Sequence, residues 1–239
     1  MTYCDLTLPS PAENLACDEA LLELCEHKQA DEVLRVWEPS QYFVALGYAD
    51  KMSTEVNLPF CEANTIPVLR RCTGGGTVLQ GPGILNYSLI LRIGDSSPVH
   101  SIPATNSFIL KRHQKVLTAL LGAPVEMQGQ TDLAIGGRKF SGNAQRRRKH
   151  FLIFHGSFLL HLDIDLLEKV LPMPTRRPEY RADRSHSDFL MNLKVPASMI
   201  KGALVKTWKA ADPMVKIPFD ETSKLVREKY SREEWNRKF

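Results

Sequence analysis

The segment RRCTGGGTV, residues 70–78, combines two adjacent arginines with three consecutive glycines. A hairpin turn needs one or two glycines, so the third suggests that the backbone approaches a ligand closely or presents N–H groups to an anion. Arg70 and Arg71 would add bidentate donors for a phosphate or a carboxylate. A glycine-rich turn beside surface arginines is an equally simple interpretation. The segment has neither the Lys-Ser/Thr pair of a P-loop nor the following helix of a dinucleotide fingerprint.

A second segment, GRKFSGNAQRRRKH, places one lysine between glycine-containing turns predicted at 136–137 and 141–143. On a strand, Lys139 and Phe140 would face opposite sides, so burial of Phe140 would leave Lys139 facing outward into a cleft. A lysine ammonium there could hold a carboxylate or phosphate and stabilise the negative charge that grows on it. Asp132 could pair with that lysine. An ordinary solvated lysine is the alternative.

The other polar residues near these segments are weaker candidates. The basic run Arg146–Lys149 is predicted to be an exposed loop edge, because four adjacent like charges repel and prefer water. His155, Gly156 and Ser157 follow an apolar strand, where a histidine is more often structural than catalytic. The sequence shows no acid partner that would complete a Ser-His-Asp arrangement.

Helices and strands predicted from the spacing of apolar residues must position these segments. The first helix, over residues 10–24, has Ser10 as its cap and Glu13 in the capping-box position, and a helix over 104–123 is expected to stop at Gly122. Further predictions are helices near 57–66, 164–171, 197–210 and 220–239, a loop over 172–187, and strands over 32–39, 42–48, 67–72, 77–79, 85–91 and within 125–162. This order lacks a strict strand–helix alternation, which favours an α+β fold with a mixed or antiparallel sheet flanked by helices.

Composition narrows the class of protein. The net charge of +4 gives little support to nucleic-acid binding. The five cysteines are odd in number and form no C-x-x-C pair, which is typical of reduced thiols in the cytoplasm. The N-terminus lacks the pattern of a signal peptide, and no apolar run approaches the ~20 residues needed to cross a bilayer. We therefore expect a cytoplasmic protein that binds neither nucleic acid nor membrane.

Five segments together resemble one known family. NLACDEALL, RRCTGGGTV, GILNYSL, TDLAIGGRKFSGNAQ and FHGSFLL occur in this order, and the chain from about residue 10 to 195 resembles the lipoate–protein ligase A family. That family belongs to the wider group of biotin/lipoate ligases and octanoyltransferases. The resemblance implies a class II synthetase-like catalytic domain. We expect residues 1–239 to form one such domain, without a large C-terminal accessory domain.

The resemblance also implies a reaction. Such enzymes bind lipoic (or octanoic) acid and ATP with Mg²⁺, form lipoyl-AMP, and pass the acyl group to a lysine of a carrier protein. The acceptor would be a lipoyl domain or a glycine-cleavage H-type protein, and a small accessory subunit could assist adenylation.

By the same resemblance, Lys139 is the catalytic residue that touches the acyl carbonyl and the phosphate. The implied substrate- and nucleotide-binding set lies on the glycine motif, the strands beside it and the lysine motif: Arg71, Gly74, Gly75, Gly76, Thr77, Val78, Leu79, Asn86, Asp132, Lys139, Ser141, Gly142, His155, Gly156 and Ser157. One departure concerns the H-D-x-G-N pattern that many ligases carry after the glycines. Gln80, Gly81 and Pro82 stand there, which argues against a role of that loop in binding metal or phosphate.

Two other functions stay open on the sequence. An octanoyl- or lipoyl-transferase of the same fold would take the acyl group from a carrier protein without ATP, but it needs a cysteine after the lysine motif, and none lies beyond Cys72. Cys72 itself could be proposed as the nucleophile, whereas Cys17 is expected to pack in the first helix. A non-catalytic module could instead use the basic clusters at 146–149 and 176–184 to dock an acidic carrier. These clusters lack the interleaved aromatic residues of single-strand binders.

Overall fold

A mixed sheet forms the centre of the protein, and a smaller sheet lies beside it. The computed structural model describes residues 1–27, 30–94 and 97–239. In that part of the chain the strands are β1 (Thr2–Asp5), β2 (Val33–Trp37), β3 (Phe43–Leu46), β4 (Val68–Arg70), β5 (Val78–Gln80), β6 (Ile84–Arg92), β7 (Glu126–Gln128), β8 (Asp132–Ile135), β9 (Arg138–Arg147), β10 (Phe151–Leu159) and β11 (Asp212–Pro213).

The main sheet has the strand order β11-β1-β2-β6-β10-β9-β8-β7. In it β1 is parallel to β2 and β11, and the other neighbouring strands are antiparallel. The small sheet has the order β4-β3-β5, with β3 parallel to β4 and antiparallel to β5. The predicted mixed sheet flanked by helices is confirmed.

The helices are α1 (Pro11–Glu26), α2 (Met52–Glu55), α3 (Leu58–Ala63), α4 (Ile102–Leu121), α5 (Ile164–Val170), α6 (His186–Phe189), α7 (Ala197–Trp208), α8 (Phe219–Leu225) and α9 (Glu233–Asn236). A 3-10 turn covers Glu179–Arg181, and a π-helical turn covers Val226–Tyr230. Two predicted helix ends, the start of α1 and the end of α4, are confirmed. Ser10 and Glu13 form the capping box of α1, and Gly122 ends α4 at a φ of 62°, a conformation that costs glycine little.

The main sheet buries side chains on both faces. One face, here called the α4/α7 face, carries Tyr87, Phe140 and Phe158 in a cluster with residues of these two helices. The opposite face, here called the α1 face, packs Ile90 against Leu21 of α1. Because side chains alternate along a strand, the residues of β6, β9 and β10 are divided between these two faces. This division decides which predicted site residues can meet.

The C-terminal residues form a further layer over α1. The sequence predicts one helix over 220–239, but the structure has α8, the π-helical turn and α9 in its place. The break follows Tyr230, whose carbonyl oxygen accepts a hydrogen bond from the Asn236 side chain at 3.0 Å. Tyr230 is fully buried against Ala16 of α1. Because α1 is covered on both sides, several of its polar residues are buried: Asn14 and Asp18 contact Arg35 of the main sheet, and Glu19 contacts Tyr230 of the C-terminal layer.

The turn predicted at 141–143 is absent. β9 continues through these residues from Arg138 to Arg147, and Gly142 and Asn143 pair with Ser157 and Gly156 of β10. A glycine in a strand can mark a close approach by another group instead of a turn, and Gly142 is such a case, as its surroundings show below.

The buried His113 of α4 makes stability depend on pH. Its Nε2 accepts a hydrogen bond from the indole N–H of Trp208 at 2.9 Å, and burial lowers its pKa to about 3. The unfolded chain binds a proton below about pH 6.5 and the folded protein does not, so stability falls as the pH decreases below that value. We expect His113 to contribute a loss of about 1.4 kcal/mol of unfolding free energy per pH unit between about pH 6.5 and 4.

Urea unfolding at a series of pH values measures this slope. His113→Gln, which keeps an acceptor for Trp208 without titrating in this range, should flatten it. His161→Gln is the matched control, because the His161 side chain is exposed, and it should leave the slope unchanged. An unaltered slope in His113→Gln would assign the pH dependence to other groups.

Candidate active site on the α1 face

Lys139 and Asp132 form an ion pair on the α1 face of the main sheet. The distance between Lys139 Nζ and Asp132 Oδ1 is 2.8 Å, and the two side chains are 24% and 11% exposed. Phe140 is fully buried on the α4/α7 face. The predicted opposition of Lys139 and Phe140 is therefore confirmed, as is the pairing with Asp132.

A β-bulge brings these groups together. Lys139 pairs with Ala134, but Ser141 pairs with Leu133, so that Phe140 is an extra residue in β9. In a regular strand Lys139 and Gly142 would face opposite sides. The extra residue reverses the alternation, and a Cβ atom on Gly142 would lie 2.8 Å from Lys139 Nζ. Gly142 thus gives the ammonium group the space through which it reaches Asp132.

Tyr180 fixes the other oxygen of the acidic partner. Its hydroxyl donates to Asp132 Oδ2 at 2.8 Å, and burial raises the pKa of Tyr180 well above its usual value. The phenol therefore stays protonated and remains a donor at neutral pH. The Tyr180 and Phe189 rings pack at 5.1 Å between centroids, so the segment that carries them covers this part of the sheet.

Residues 178–191, here called the strap, are tied to the lysine-bearing strand by backbone atoms. The Met191 N–H donates to the Lys139 carbonyl at 2.9 Å. Arg184 donates to the Gly137 carbonyl at 3.0 Å, and Arg138 donates to the Leu190 carbonyl at 2.6 Å. These bonds hold the backbone of Lys139 on the edge of β9 that is opposite to β8.

Arg71 shapes the glycine loop, residues 73–77, from beneath. Its guanidinium donates to Thr73 Oγ1 at 3.0 Å and to the carbonyl oxygens of Gly74 and Gly76 at 2.7 and 2.8 Å. Burial lowers its pKa to about 10, and the nearby Asp50 opposes that shift. Gly74–Gly76 are exposed. The arginine thus turns the loop carbonyls inward, and the glycine backbone, more than the guanidinium, is what a ligand would meet.

Three members of the predicted set stabilise the loop's flanks. The Thr77 hydroxyl donates to Asp50 Oδ2 at 2.9 Å, and Leu79 is buried in the apolar cluster around the small sheet. Val78 pairs with Ala45 of β3. The Val78 side chain also packs against the cluster around Phe43 and Tyr230. Since these side chains are used within the protein, contacts to a nucleotide from this stretch stay a prediction about the backbone.

His155 connects the glycine loop to the first helix. Its Nε2 lies 2.7 Å from Thr73 Oγ1, and its Nδ1 lies 3.8 Å from Asp18 Oδ2. The imidazole ring therefore lies between the Thr73 hydroxyl of the glycine loop and the Asp18 carboxylate of α1. The expectation that His155 lacks an acid partner is wrong, since α1 brings Asp18 from a distant part of the sequence.

Asp18 itself is buried with Arg35. The distance between Arg35 Nη1 and Asp18 Oδ1 is 2.5 Å, and Ser88 donates to Asp18 Oδ2 at 2.8 Å. Burial alone would raise the pKa of Asp18, but Arg35, His155 and Ser88 together hold it below its usual value. Asp18 therefore stays a carboxylate and gives His155 a fixed negative neighbour.

The two faces of the sheet separate the rest of the predicted set. Ser157 pairs with Asn86 and with Gly142 on the α1 face, and Asn86 donates to Gln80 at 2.9 Å. Ser141 and Gly156 occupy positions of the α4/α7 face, so a contribution of these two residues to the site stays a prediction about their backbone. A Cβ atom on Gly156 would lie 1.8 Å from Asn143 Oδ1, so this glycine makes room for the bond between Asn143 and the Tyr87 hydroxyl.

The basic run is a solvated edge only at Arg148 and Lys149, whose side chains are exposed. Arg146 donates to the carbonyl oxygen of Cys72 at 3.2 Å and lies 3.4 Å from Glu19. Arg147, on the other face, donates to the Val99 carbonyl at 2.9 Å. The prediction is wrong for these two arginines because β9 extends through them and directs them into partners on both faces.

Cys72 is poorly suited to nucleophilic chemistry. Its side chain is buried, and burial raises its pKa to about 11, with Glu19 adding to the shift. A thiol is the nucleophile only as the thiolate, so Cys72 is protonated at neutral pH. Cys17 is fully buried in α1, as expected, and burial raises its pKa as well.

Comparison with known proteins identifies the family. The model of the lipoyl protein ligase A/B catalytic domain matches residues 10–203. The chain is 26% identical to lipoate-protein ligase A subunit 1 of Thermoplasma acidophilum, over 93% of this chain and 90% of that one. It is 32% identical to the octanoyltransferase LipM of Carboxydothermus hydrogenoformans, over 68% of this chain and 65% of that one.

Two solved structures share the fold over most of their length. The bi-partite lipoate protein ligase of T. acidophilum, from an archaeal lipoylation system that includes its E2 lipoyl domain, superposes with a TM-score of 0.83 at 25% identity, covering 99% of this chain and 95% of that chain. A lipoate-protein ligase A bound with ATP superposes with a TM-score of 0.78 at 25% identity, covering 99% and 98%.

The chain belongs to the lipoyl protein ligase A/B catalytic domain family. The resemblance drawn from its motifs is confirmed, and the protein is a lipoate–protein ligase-like enzyme. Among the described residues, none of the helices is both long and apolar enough to cross a membrane.

Gly142→Ala should inactivate the enzyme without unfolding it. The new methyl group would meet Nζ and Cε of Lys139 at 2.8 and 2.9 Å, so the flexible lysine must leave Asp132. A displacement of about 1 Å at a reacting group can cost about 100-fold in rate, and we expect a loss of that order in lipoyl transfer to a carrier domain.

Gly202→Ala is the matched control, because a Cβ atom there meets nothing within 4 Å. In the middle of α7 it should keep full activity and raise the unfolding free energy by about 0.5–1 kcal/mol. Equal activity in the two variants would mean that the position of Lys139 over Gly142 has no part in catalysis.

Proposed function

We propose that this protein is an ATP-dependent lipoate–protein ligase. It takes lipoic acid and ATP, forms lipoyl-AMP, and transfers the lipoyl group to a lysine of a carrier domain. The observation that carries the proposal is the Lys139–Asp132 ion pair. A β-bulge places this pair on the same face of the sheet as His155, and His155 contacts the glycine loop. The ATP-bound relative supports the choice of nucleotide.

The first step joins two anions. A carboxylate oxygen of lipoic acid attacks the α-phosphorus of ATP, and pyrophosphate leaves. Positive charge from Lys139 and the N–H groups of the exposed glycine backbone would reduce the repulsion between the carboxylate and the phosphate and stabilise charge on the phosphoryl oxygens. Arg71 contributes by holding the carbonyl oxygens of Gly74 and Gly76 away from that side of the loop.

The second step is acyl transfer. The deprotonated amine of the acceptor lysine attacks the acyl carbon, an oxyanion forms, and AMP leaves as the carbon–oxygen bond to the phosphate breaks. Lys139 would stabilise the oxyanion as a charged donor. Asp132, fixed by Tyr180, keeps the lysine ammonium in place between the two steps.

Mg²⁺ would arrive with the nucleotide. Magnesium in nucleotide-dependent enzymes takes phosphate oxygens and water as most of its ligands. Across residues 1–27, 30–94 and 97–239 the structure has no group of three or more His, Cys, Asp or Glu side chains that could hold a metal ion. We therefore propose that the phosphate oxygens of ATP and water supply most of the ligands of the magnesium ion.

Transfer from an acyl carrier without ATP is the second candidate, because octanoyltransferases are among the relatives. That route needs a reactive thiol. The elevated pKa and burial of Cys72 favour the ligase.

We propose a lipoyl domain or a glycine-cleavage H-type protein as acceptor, and a small accessory subunit as in the bi-partite relative. Residues 1–239 would act as one catalytic domain in the cytoplasm, where five free buried cysteines stay reduced.

Lys139→Ala tests the mechanism. Removing one preorganised charge that stabilises the transition state costs about 100- to 1,000-fold in rate, and we expect at least that loss with little change in the unfolding temperature. Mass spectrometry of a carrier domain measures the product, with lipoate plus ATP compared against an octanoyl-carrier donor. Lys149→Ala, at an exposed position of the same segment, should keep full activity.

Cys72→Ser separates the two candidate reactions. The ligase predicts unchanged lipoylation from lipoate and ATP. Loss of activity with the octanoyl-carrier donor in this variant, together with no product from lipoate and ATP in the unmodified protein, would establish the transferase instead. Full activity of Lys139→Ala with lipoate and ATP would remove the proposed role of Lys139.

A further inference from the structure

Arg70 is fully buried at the end of β4 and joins two distant parts of the chain. Its guanidinium donates only to backbone carbonyl oxygens in the following set: Gly47 at 2.9 Å, Tyr48 at 3.0 Å, Asp50 at 2.7 Å, Trp235 at 3.1 Å and Asn236 at 3.0 Å. A planar group with five donors is suited to such a crossing point. It fastens the turn at residues 47–50 to helix α9.

Helix α9 returns two hydrogen bonds to the backbone of Arg70. The Trp235 indole N–H donates to the Arg70 carbonyl at 2.8 Å, and Asn236 Oδ1 accepts from the Arg70 N–H at 2.9 Å. Both the side chain and the backbone of this arginine are therefore set by α9. Arg71, which holds the glycine loop, is the next residue in the chain.

The turn at residues 47–50 also contacts the glycine loop directly. The Tyr48 N–H donates to the Thr73 carbonyl at 2.9 Å, and Asp50 accepts the Thr77 hydroxyl. Gly47 passes so close that a Cβ atom on it would lie 1.9 Å from the Gly75 carbonyl oxygen. Both ends of the loop and its middle thus rest on this turn.

A second connection reaches the loop from the same C-terminal layer. Glu19 of α1 is buried and accepts from the Tyr230 hydroxyl at 2.7 Å and from Lys229 Nζ at 2.6 Å. Glu19 also lies 3.4 Å from Arg146. Arg146 in turn donates to the carbonyl oxygen of Cys72, and Cys72 is the residue just before the loop. Two independent sets of contacts therefore lead from residues 229–236 to the glycine loop.

We infer that Trp235 and Asn236 are positioning residues for nucleotide binding, acting through Arg70 and the turn at 47–50 on the glycine loop. They lie outside residues 10–203, which the family model covers. The inference rests on the proposed function, because it takes the nucleotide to bind at that loop. The lipoyl chain would not depend on α9 in the same way, since the Lys139–Asp132 pair and the strap are held by β8, β9 and residues 180–191.

Trp235→Phe and Asn236→Ala test the inference through separate Michaelis constants in a pyrophosphate-release assay. Each variant leaves a buried backbone group of Arg70 unpaired, a change that corresponds to about tenfold in binding. Asn236→Ala also removes the hydrogen bond to the Tyr230 carbonyl oxygen. We expect the KM for ATP to rise about tenfold and the KM for lipoate to change less than about twofold. Asn236→Asp keeps the acceptor for the Arg70 N–H but not the donor to the Tyr230 carbonyl oxygen, so it should recover only the part of the loss that acts through Arg70.

Trp208→Phe is the matched control. It removes an indole hydrogen bond of nearly the same length, 2.9 Å to His113, but in the cluster of the α4/α7 face, so it should lower stability and leave both constants unchanged. Equal increases in both constants for Trp235→Phe, or no increase, would overturn the inference while the proposed function stands. A lack of ATP consumption by the unmodified protein, assayed with the proposed accessory subunit present, would instead refute the proposed function and the inference together.

Discussion

The β-bulge at Phe140 decides on which face of the sheet the central ion pair forms. If side chains alternated strictly along the strand from Lys139 to Gly142, these two residues would lie on opposite faces. One extra residue brings Lys139, Gly142 and Asp132 to the same face, while Phe140 remains in the core beneath α4 and α7. Bulges recur near active sites because they redirect single side chains in this way.

Helix α1 supplies the buried charges that connect the parts of the site. Asp18 pairs with Arg35 and faces His155, and Glu19 pairs with Lys229 and Arg146. Removing one partner of a buried ion pair lowers the stability of the fold strongly, because the remaining charge has neither its partner nor water around it. The consecutive acidic residues of α1 thereby fix both the sheet side and the C-terminal side of the glycine loop.

Two neighbouring arginines have different tasks in the same short segment. Arg71 holds the carbonyl oxygens of the glycine loop, and Arg70 holds the turn on which that loop rests. Both are buried, and both bond mainly to backbone atoms. The positive charge that the sequence displays beside the glycines is therefore used within the protein, and the loop's own exposed backbone together with Lys139 is left to meet the anionic substrates.

The sequence alone determined what depends on local chemistry. The capping box of Ser10 and Glu13, the end of α4 at Gly122, the opposition of Lys139 and Phe140, and the family resemblance all follow from residue types at short spacing. Five short segments in a fixed order were enough to indicate the class of enzyme and its central lysine.

Only the tertiary structure decided which residues share a face and which charges are paired. The bulge places Gly142, a residue in a strand and not in a turn, beneath the Lys139 ammonium group, and the register of β9 and β10 puts Ser141 and Gly156 on the α4/α7 face. Asp18 reaches His155, and Arg70 reaches Trp235, across separations of sequence that no local pattern encodes. Such pairings depend on the register of strands and on how helices cover the sheet, and these are set by the packing of the whole chain.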